Sequence, residues 1–316
     1  MKSACTRMQR NKETPTVDKS KTSVLATEMK LLVATLCWGL SFIAIKMGLE
    51  GYSPIALVTL RLFMVSLILG TGMLLNRNRE KMPSRRDIAG LALLGMLNPF
   101  LAFLLESYGM VDTSASLTSI ILSTMPLLTP FAAFIVWRER VVLRNFLGLL
   151  LSFAGLALIF LWGSGPAEYS LRGLAMLSTS VLIGVIYGIL AKRLVGRVSP
   201  VMVVTWQQGF GFIFYLPLFF AFTDHSVLPA AGIGLESLFA IVFLAIFPSA
   251  LAYIFYVGGI QKIGPTRTNA FINLSPVVTY LASFLILGEA LGVAKLIGIV
   301  VVIAGVFISQ SQKRVG

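Results

Sequence analysis

Residues 123–139, STMPLLTPFAAFIVWRE, and residues 273–289, NLSPVVTYLASFLILGE, are built on one framework. In each, a threonine, a phenylalanine and a glutamate follow the same proline at three, eight and thirteen positions. The likeness is wider than this stretch. Shifting the chain by 150 positions lays residues 98–156 on 248–306 without a gap, so that Gly109/Gly259, Pro126/Pro276, Thr129/Thr279 and Gly155/Gly305 coincide. Ahead of that stretch the shift is 146, pairing Lys46 with Lys192 and Ser53-Pro54 with Ser199-Pro200. The chain is two copies of one unit, and a fold assigned to one copy must serve for both.

The unit belongs in a bilayer. Of 316 residues, 57% are hydrophobic and 12% charged, too apolar a balance for a fold whose surface faces water. Ten apolar segments can be read off, at 29–47, 54–76, 88–108, 114–137, 142–162, 171–191, 200–222, 235–258, 266–287 and 293–309. Each is long enough to cross about 30 Å of hydrocarbon as a helix. The expected fold is an all-α membrane protein of ten transmembrane helices. Each copy has five spans, an odd number, so the second copy enters the membrane from the other side. The arrangement expected is two inverted five-helix repeats: a basic tail at 1–28, a first repeat at 29–162, an external linker at 163–170, a second repeat at 171–309 and a tail at 310–316. Inverted repeats recur in secondary transporters, with the substrate site near mid-membrane where the copies meet.

A net charge of +13 raises the question of nucleic acid, and the placement of the charges answers it. With the N-terminus inside, all Lys and Arg except Lys46, Arg61, Arg172 and Lys295 fall at the cytoplasmic loops, tails and helix ends. Glu50, Asp112, Glu168, Asp224 and Glu289 fall on the opposite side. This is the positive-inside pattern of a multi-pass protein with both termini cytoplasmic. The expected partners are the lipid bilayer and a small-molecule substrate, and no nucleic acid. Residues 1–28 hold no apolar run and are expected to be a disordered tail rather than a signal peptide. Cys5 and Cys37 have neither metal nor redox spacing.

Candidate site residues come from the matched stretches. Ser116, Ser119, Ser123, Pro126, Pro130 and Ala133 lie three or four apart, on one helical face. Their counterparts are Thr266, Asn269, Asn273, Pro276, Tyr280 and Ser283. Small or polar stripes in register on two apolar helices face protein or a watery cavity. Helix packing is the competing reading, but asparagines and paired prolines cost more than packing requires. Pro126 lies about 20 Å from the helix end at 1.5 Å per residue, near mid-membrane, where it frees a carbonyl one turn earlier. Gly148/Gly155 and Gly298/Gly305 in the fifth and tenth helices read instead as close-contact faces, within one chain or in a homodimer through helices 5 and 10.

LCWGLSFIAIK, YSPIALVTLRLF, the proline-to-glutamate framework and the glycine pairs together resemble the EamA-type members of the drug/metabolite transporter superfamily, over about residues 30–309. Two details depart from the pattern: Arg61 is followed by Leu62 before Phe63, and Gly184-Val185 stands where the first copy has Trp38-Gly39. The resemblance implies a ten-helix carrier, mostly of bacterial inner membranes, often exporting amino acids or related metabolites. It does not fix the substrate.

Trp38, Phe42, Tyr187, Trp206 and Tyr253 are aromatic candidates for a cavity lining, each also readable as packing. Asn98 is a mid-depth polar candidate. Arg61 and Glu106 sit furthest from any loop, and their counterparts, Gln207 and Tyr256, are neutral. Charges present together in one copy and absent together in the other suit a pair that gates the outer side or holds a zwitterion. Alternatively, Arg61 meets carbonyls or an anionic solute while Glu106 is hydrated. The expected substrate-binding set is Trp38, Arg61, Asn98, Glu106, Ser123, Pro126, Asn269, Asn273 and Pro276. An intramembrane enzyme would need a metal, an acid pair or an activated nucleophile. The single histidine, His225, lies in a loop and no two carboxylates meet mid-span, so no metal, cofactor or catalytic residue is expected. A channel would need a filter built by several subunits, whereas the repeat suits alternating access.

Overall fold

The computed structural model describes residues 19–75, 82–138, 142–158, 169–223, 234–272, 274–288 and 292–310. Among the described residues every regular element is helical. Seven helices are long and apolar enough to cross a membrane, at Val24–Gly51, Pro54–Leu75, Arg85–Val111, Ala115–Val136, Leu171–Leu194, Pro200–Phe222 and Leu235–Ile263. Three shorter apolar helices lie at Leu143–Gly155, Ser275–Leu287 and Val293–Gly305. Large apolar side chains such as Leu67, Ile135, Phe153, Phe220 and Phe239 point outward, as suits a molecule whose solvent is lipid. The first helix, α1 (Lys19–Gly51), begins inside the stretch read as a tail, because helical hydrogen bonding continues past the apolar run. Helix α2 (Pro54–Leu75) comes next.

Four spans read as continuous are interrupted. The third divides into α3 (Arg85–Gly95) and α4 (Ala102–Val111) around a π-helical turn at Met96–Leu101, where Asn98 leaves helical geometry ahead of Pro99. The residue before a proline is pushed toward extended backbone, which accounts for the break. The fourth divides into α5 (Ala115–Leu122) and α6 (Met125–Trp137), with Pro126 in the first turn of α6, where its missing N–H costs no helical bond. After α7 (Leu143–Leu158) the pattern recurs. Helices α8 (Leu171–Leu194) and α9 (Pro200–Phe222) are continuous. Next, α10 (Leu235–Leu244) and α11 (Tyr253–Ile263) flank a π-helical stretch at Ala245–Ala252 that contains Pro248. Then α12 (Pro265–Ile272) precedes α13 (Ser275–Ala282), which opens with Pro276 and runs into another π-helical turn at Ser283–Leu287. Helix α14 (Val293–Gln310) is the last described. Even the left-handed residues after the fourth and ninth segments correspond, Arg138 at φ 55° and Gly288 at φ 68°. Glycine takes that conformation freely, whereas arginine gives up about 1 kcal/mol or more.

The copies pack across one another. Helix α1 lies on α10, α11 and α13, while α8 lies on α4 and α6. The pairs α2/α9 and α7/α14 join equivalent helices directly. A Cβ on Gly155 would sit 2.9 Å from the Gly298 carbonyl oxygen, and one on Gly305 would be 2.6 Å from that of Gly148. Ser152 Oγ donates to Val302 O at 3.0 Å across the same contact. The glycine faces thus meet within one chain, and a homodimer through helices 5 and 10 would have to use their other faces.

Candidate functional site

A cavity of about 100 Å³ lies where the copies meet. Its lining takes equivalent positions from both: Trp38 and Gly184, Ser41 and Tyr187, Phe103 and Tyr253, Glu106 and Tyr256, Met125 and Ser275. The broken spans explain how they converge, because each break swings a helix segment and exposes carbonyls that partner helices can hold. Trp38 Nε1 donates to Pro248 O at 3.2 Å, and Gln208 Nε2 donates to Ser249 O at 2.9 Å.

Arg61 reaches the cavity with 3% of its surface exposed. Its Nε donates to Ser249 Oγ at 2.5 Å, and its guanidinium lies over the Phe103 ring, 4.1 Å from the centroid. Those contacts hold the cation by cation–π attraction and a hydrogen bond, with no carboxylate against it. Glu106 lines the same cavity, yet among the described residues no salt bridge within 4.0 Å joins it to Arg61 and no hydrogen bond is donated to it. The site therefore holds a guanidinium and a carboxyl group apart from each other, both lining the same space. A solute bearing both charges could satisfy both groups at once.

The aromatic lining is held partly by its own members and partly by polar groups outside the cavity. Trp38 meets Tyr253 and Tyr256 edge-on, with centroids 5.3 and 5.2 Å away. Tyr253 donates to Asn98 Oδ1 at 2.7 Å, Tyr256 to Asn269 Oδ1 at 2.9 Å, and Tyr187 to Gln207 Oε1 at 2.8 Å. Each hydroxyl is thus engaged in a hydrogen bond, and all three rings line the cavity.

Of the residues singled out from sequence, Trp38, Arg61, Asn98 and Glu106 line this cavity. Ser123, Pro126, Asn269 and Pro276 lie outside its lining. Ser123 Oγ donates to Ile120 O at 2.6 Å within its own turn. Pro126 and Pro276 are buried at the starts of α6 and α13. Asn269 is buried, and its Nδ2 donates to Thr129 Oγ1 at 3.3 Å. Asn273 lies outside the described residues. The breaks at Ser123–Thr124 and before Leu274 turn the helices so that Leu122, Met125, Ile272 and Ser275 face the cavity instead. Phe42, Tyr187 and Tyr253 belong to the lining, and Trp206 does not, its Nε1 lying 3.2 Å from Met202 Sδ. Tyr256, Phe103, Met125 and Gly184 were not singled out as site residues. The repeat register carried a signal for Tyr256 and Gly184, since they are the counterparts of Glu106 and Trp38.

A second, wider recess of about 1270 Å³ opens at the ends of α1, α4 and α8, with Lys46, Glu50, Tyr52, Asp112 and Tyr169 on its walls. At the opposite end Arg197 Nη1 and Asp87 Oδ1 stand 4.0 Å apart, and Gln261 Nε2 donates to Val195 O at 2.7 Å.

The sequence model of the EamA-like transporter family matches residues 26–161 and again 171–310. The chain belongs to this family, one family unit per copy. Similar proteins include an uncharacterized transporter of Archaeoglobus fulgidus, 28% identical over 88% of this chain and 96% of that one. Another is the uncharacterized transporter YyaM of Bacillus subtilis, 28% identical over 90% and 93% of the two chains. A probable terminal-alkyne amino-acid exporter of Streptantibioticus cattleyicolor is 27% identical over 88% and 91%. A solved crystal structure shares the fold at a TM-score of 0.66 and 15% identity, covering 90% of this chain and 98% of that one. The chain is a multi-span membrane protein of a transporter family.

Proposed function

We propose that the chain is a secondary transporter that moves small zwitterionic metabolites, amino acids or close relatives, outward by alternating access through the central cavity. In this reading ten helices cross the cell inner membrane as two inverted repeats, 29–162 and 171–309, joined by an external linker at 163–170, with both termini cytoplasmic. Trp38, Arg61, Asn98 and Glu106 contact the solute, while Ser123, Pro126, Asn269, Asn273 and Pro276 belong to the fourth and ninth spans that carry the moving lining. The observation that carries the reading is the cavity built from equivalent positions of both copies, since exchanging the roles of two equivalent halves opens one site to either side.

Three further features support it. Arg61 and Glu106 offer a carboxylate and an amine separate partners. One relative is named for amino-acid export. The recess beside Glu50 and Asp112, and the contacts Arg197–Asp87 and Gln261–Val195 at the other end, suit a state closed to the cytoplasm. Purified protein in liposomes loaded with mixed α-amino acids should give saturable countertransport of a labelled member. Flux that does not saturate would mean a channel, and no flux of any member would overturn the reading.

A further inference from the structure

Trp38 and Gly184 are equivalent in the two copies, and both line the central cavity. One wall therefore presents an indole where the other presents bare backbone. Met125 fills that opening: a Cβ built on Gly184 would collide with Met125 Cε and lie 3.1 Å from its Sδ. Met125 is itself part of the lining. It also packs against a buried cluster that includes Leu117, Ile120, Leu177 and Val181. A thioether displaced from Gly184 thus has packed side chains on one side and the cavity on another.

We propose that Gly184 and Met125 together set the size limit for the apolar part of the transported solute. The thioether, unbranched and polarizable, serves as an adjustable end wall, and Gly184 is the recess into which it withdraws. The inference rests on the carrier reading above and narrows its substrate class to zwitterions with a short aliphatic side chain. Arg61 and Glu106 take the charged ends, and the apolar end faces Met125.

The variants Gly184→Ala and Met125→Ala test this in opposite directions. A methyl at position 184 meets the far end of a flexible side chain rather than backbone, so the variant should fold, as an unchanged gel-filtration profile in detergent would register. The readout is competition by glycine, alanine, valine, leucine and phenylalanine in proteoliposome countertransport. Gly184→Ala should lower the preference for leucine over alanine about 10-fold, the scale of one methylene in an apolar pocket. Met125→Ala should raise it by a similar factor. In the double variant the effect of Gly184→Ala should shrink to about twofold or less, because the side chain it displaces is gone. An unchanged order of preference in all variants, or an equal effect of Gly184→Ala with and without Met125, overturns the size limit while leaving the carrier reading standing. Wild-type protein that transports none of the series overturns both.

Discussion

The two walls of the central cavity share a backbone and differ in chemistry. Trp38, Arg61 and Glu106 on one side stand where the other copy has Gly184, Gln207 and Tyr256. The breaks, the proline-led helix starts and the left-handed residues correspond closely, as does the mutual packing of α7 and α14. In the carrier reading, duplicated scaffolding keeps what both copies need in order to move, while the residues of the cavity lining are free to diverge. Arg61 and Glu106 come from the first copy and the lining tyrosines from the second, so under the proposed reading a zwitterion, with two unlike ends, would sit in a single orientation.

Changes that make the charged wall resemble the tyrosine wall should therefore act most strongly. Arg61→Gln installs the residue of the second copy and removes the only cation among the described lining residues. Transport efficiency should fall on the order of 100-fold, the upper scale for hydrogen bonds to a charged group. The check is proteoliposome uptake at equal reconstituted protein. Glu106→Gln should cost about 10-fold, since the neutral amide still accepts one hydrogen bond. Because Arg61 and Glu106 line one buried cavity and would hold the two ends of one solute, the double variant should lose less than the sum of the two single losses in free energy. Losses that add in full would show that the two groups act independently.

On the other wall the effects should be smaller. Tyr256→Phe keeps the ring against Trp38 and removes the donor to Asn269, for a loss of about 1–2 kcal/mol in stability and little change in substrate preference. Thermal unfolding in detergent, followed beside uptake, separates the two quantities. Pro126→Ala should be the mildest, under about 1 kcal/mol, since proline in the first helical turn gives up no hydrogen bond and contributes mainly by limiting the unfolded chain.

The repeat, the helical class and the places of the apolar helices among the described residues were legible because hydropathy and identity at a fixed shift are properties of the chain alone. The charged half of the site was legible for a related reason: Arg61 and Glu106 are costly in hydrocarbon, so their presence marks a cavity. The stripes on the fourth and ninth spans presuppose straight helices. Breaks at Ser123–Thr124 and ahead of Leu274 rotate the helix segments beyond them, bringing Met125 and Ser275 to the cavity and leaving Ser123 and Asn269 in helix contacts. Periodicity cannot register such a turn. Pro99 and Pro248 lie in the other two breaks, and a proline in a membrane helix does not say which neighbouring side chains will take up the freed carbonyls. That Trp38, Gln208 and Arg61 gather around Pro248 and Ser249 depends on packing between copies.

The central claim is that one cavity between the copies is open to each side of the membrane in turn. Ser41 is in the lining, on α1 beside Trp38. A Ser41→Cys variant, with Cys5 and Cys37 replaced by serine and alanine, can be treated with a membrane-impermeant thiol reagent in vesicles of either orientation. The account predicts modification from both faces, each slowed by the transported amino acid, and loss of that protection when Arg61→Gln is added. Modification from one face alone, or at a rate the solute does not change from either face, would contradict it.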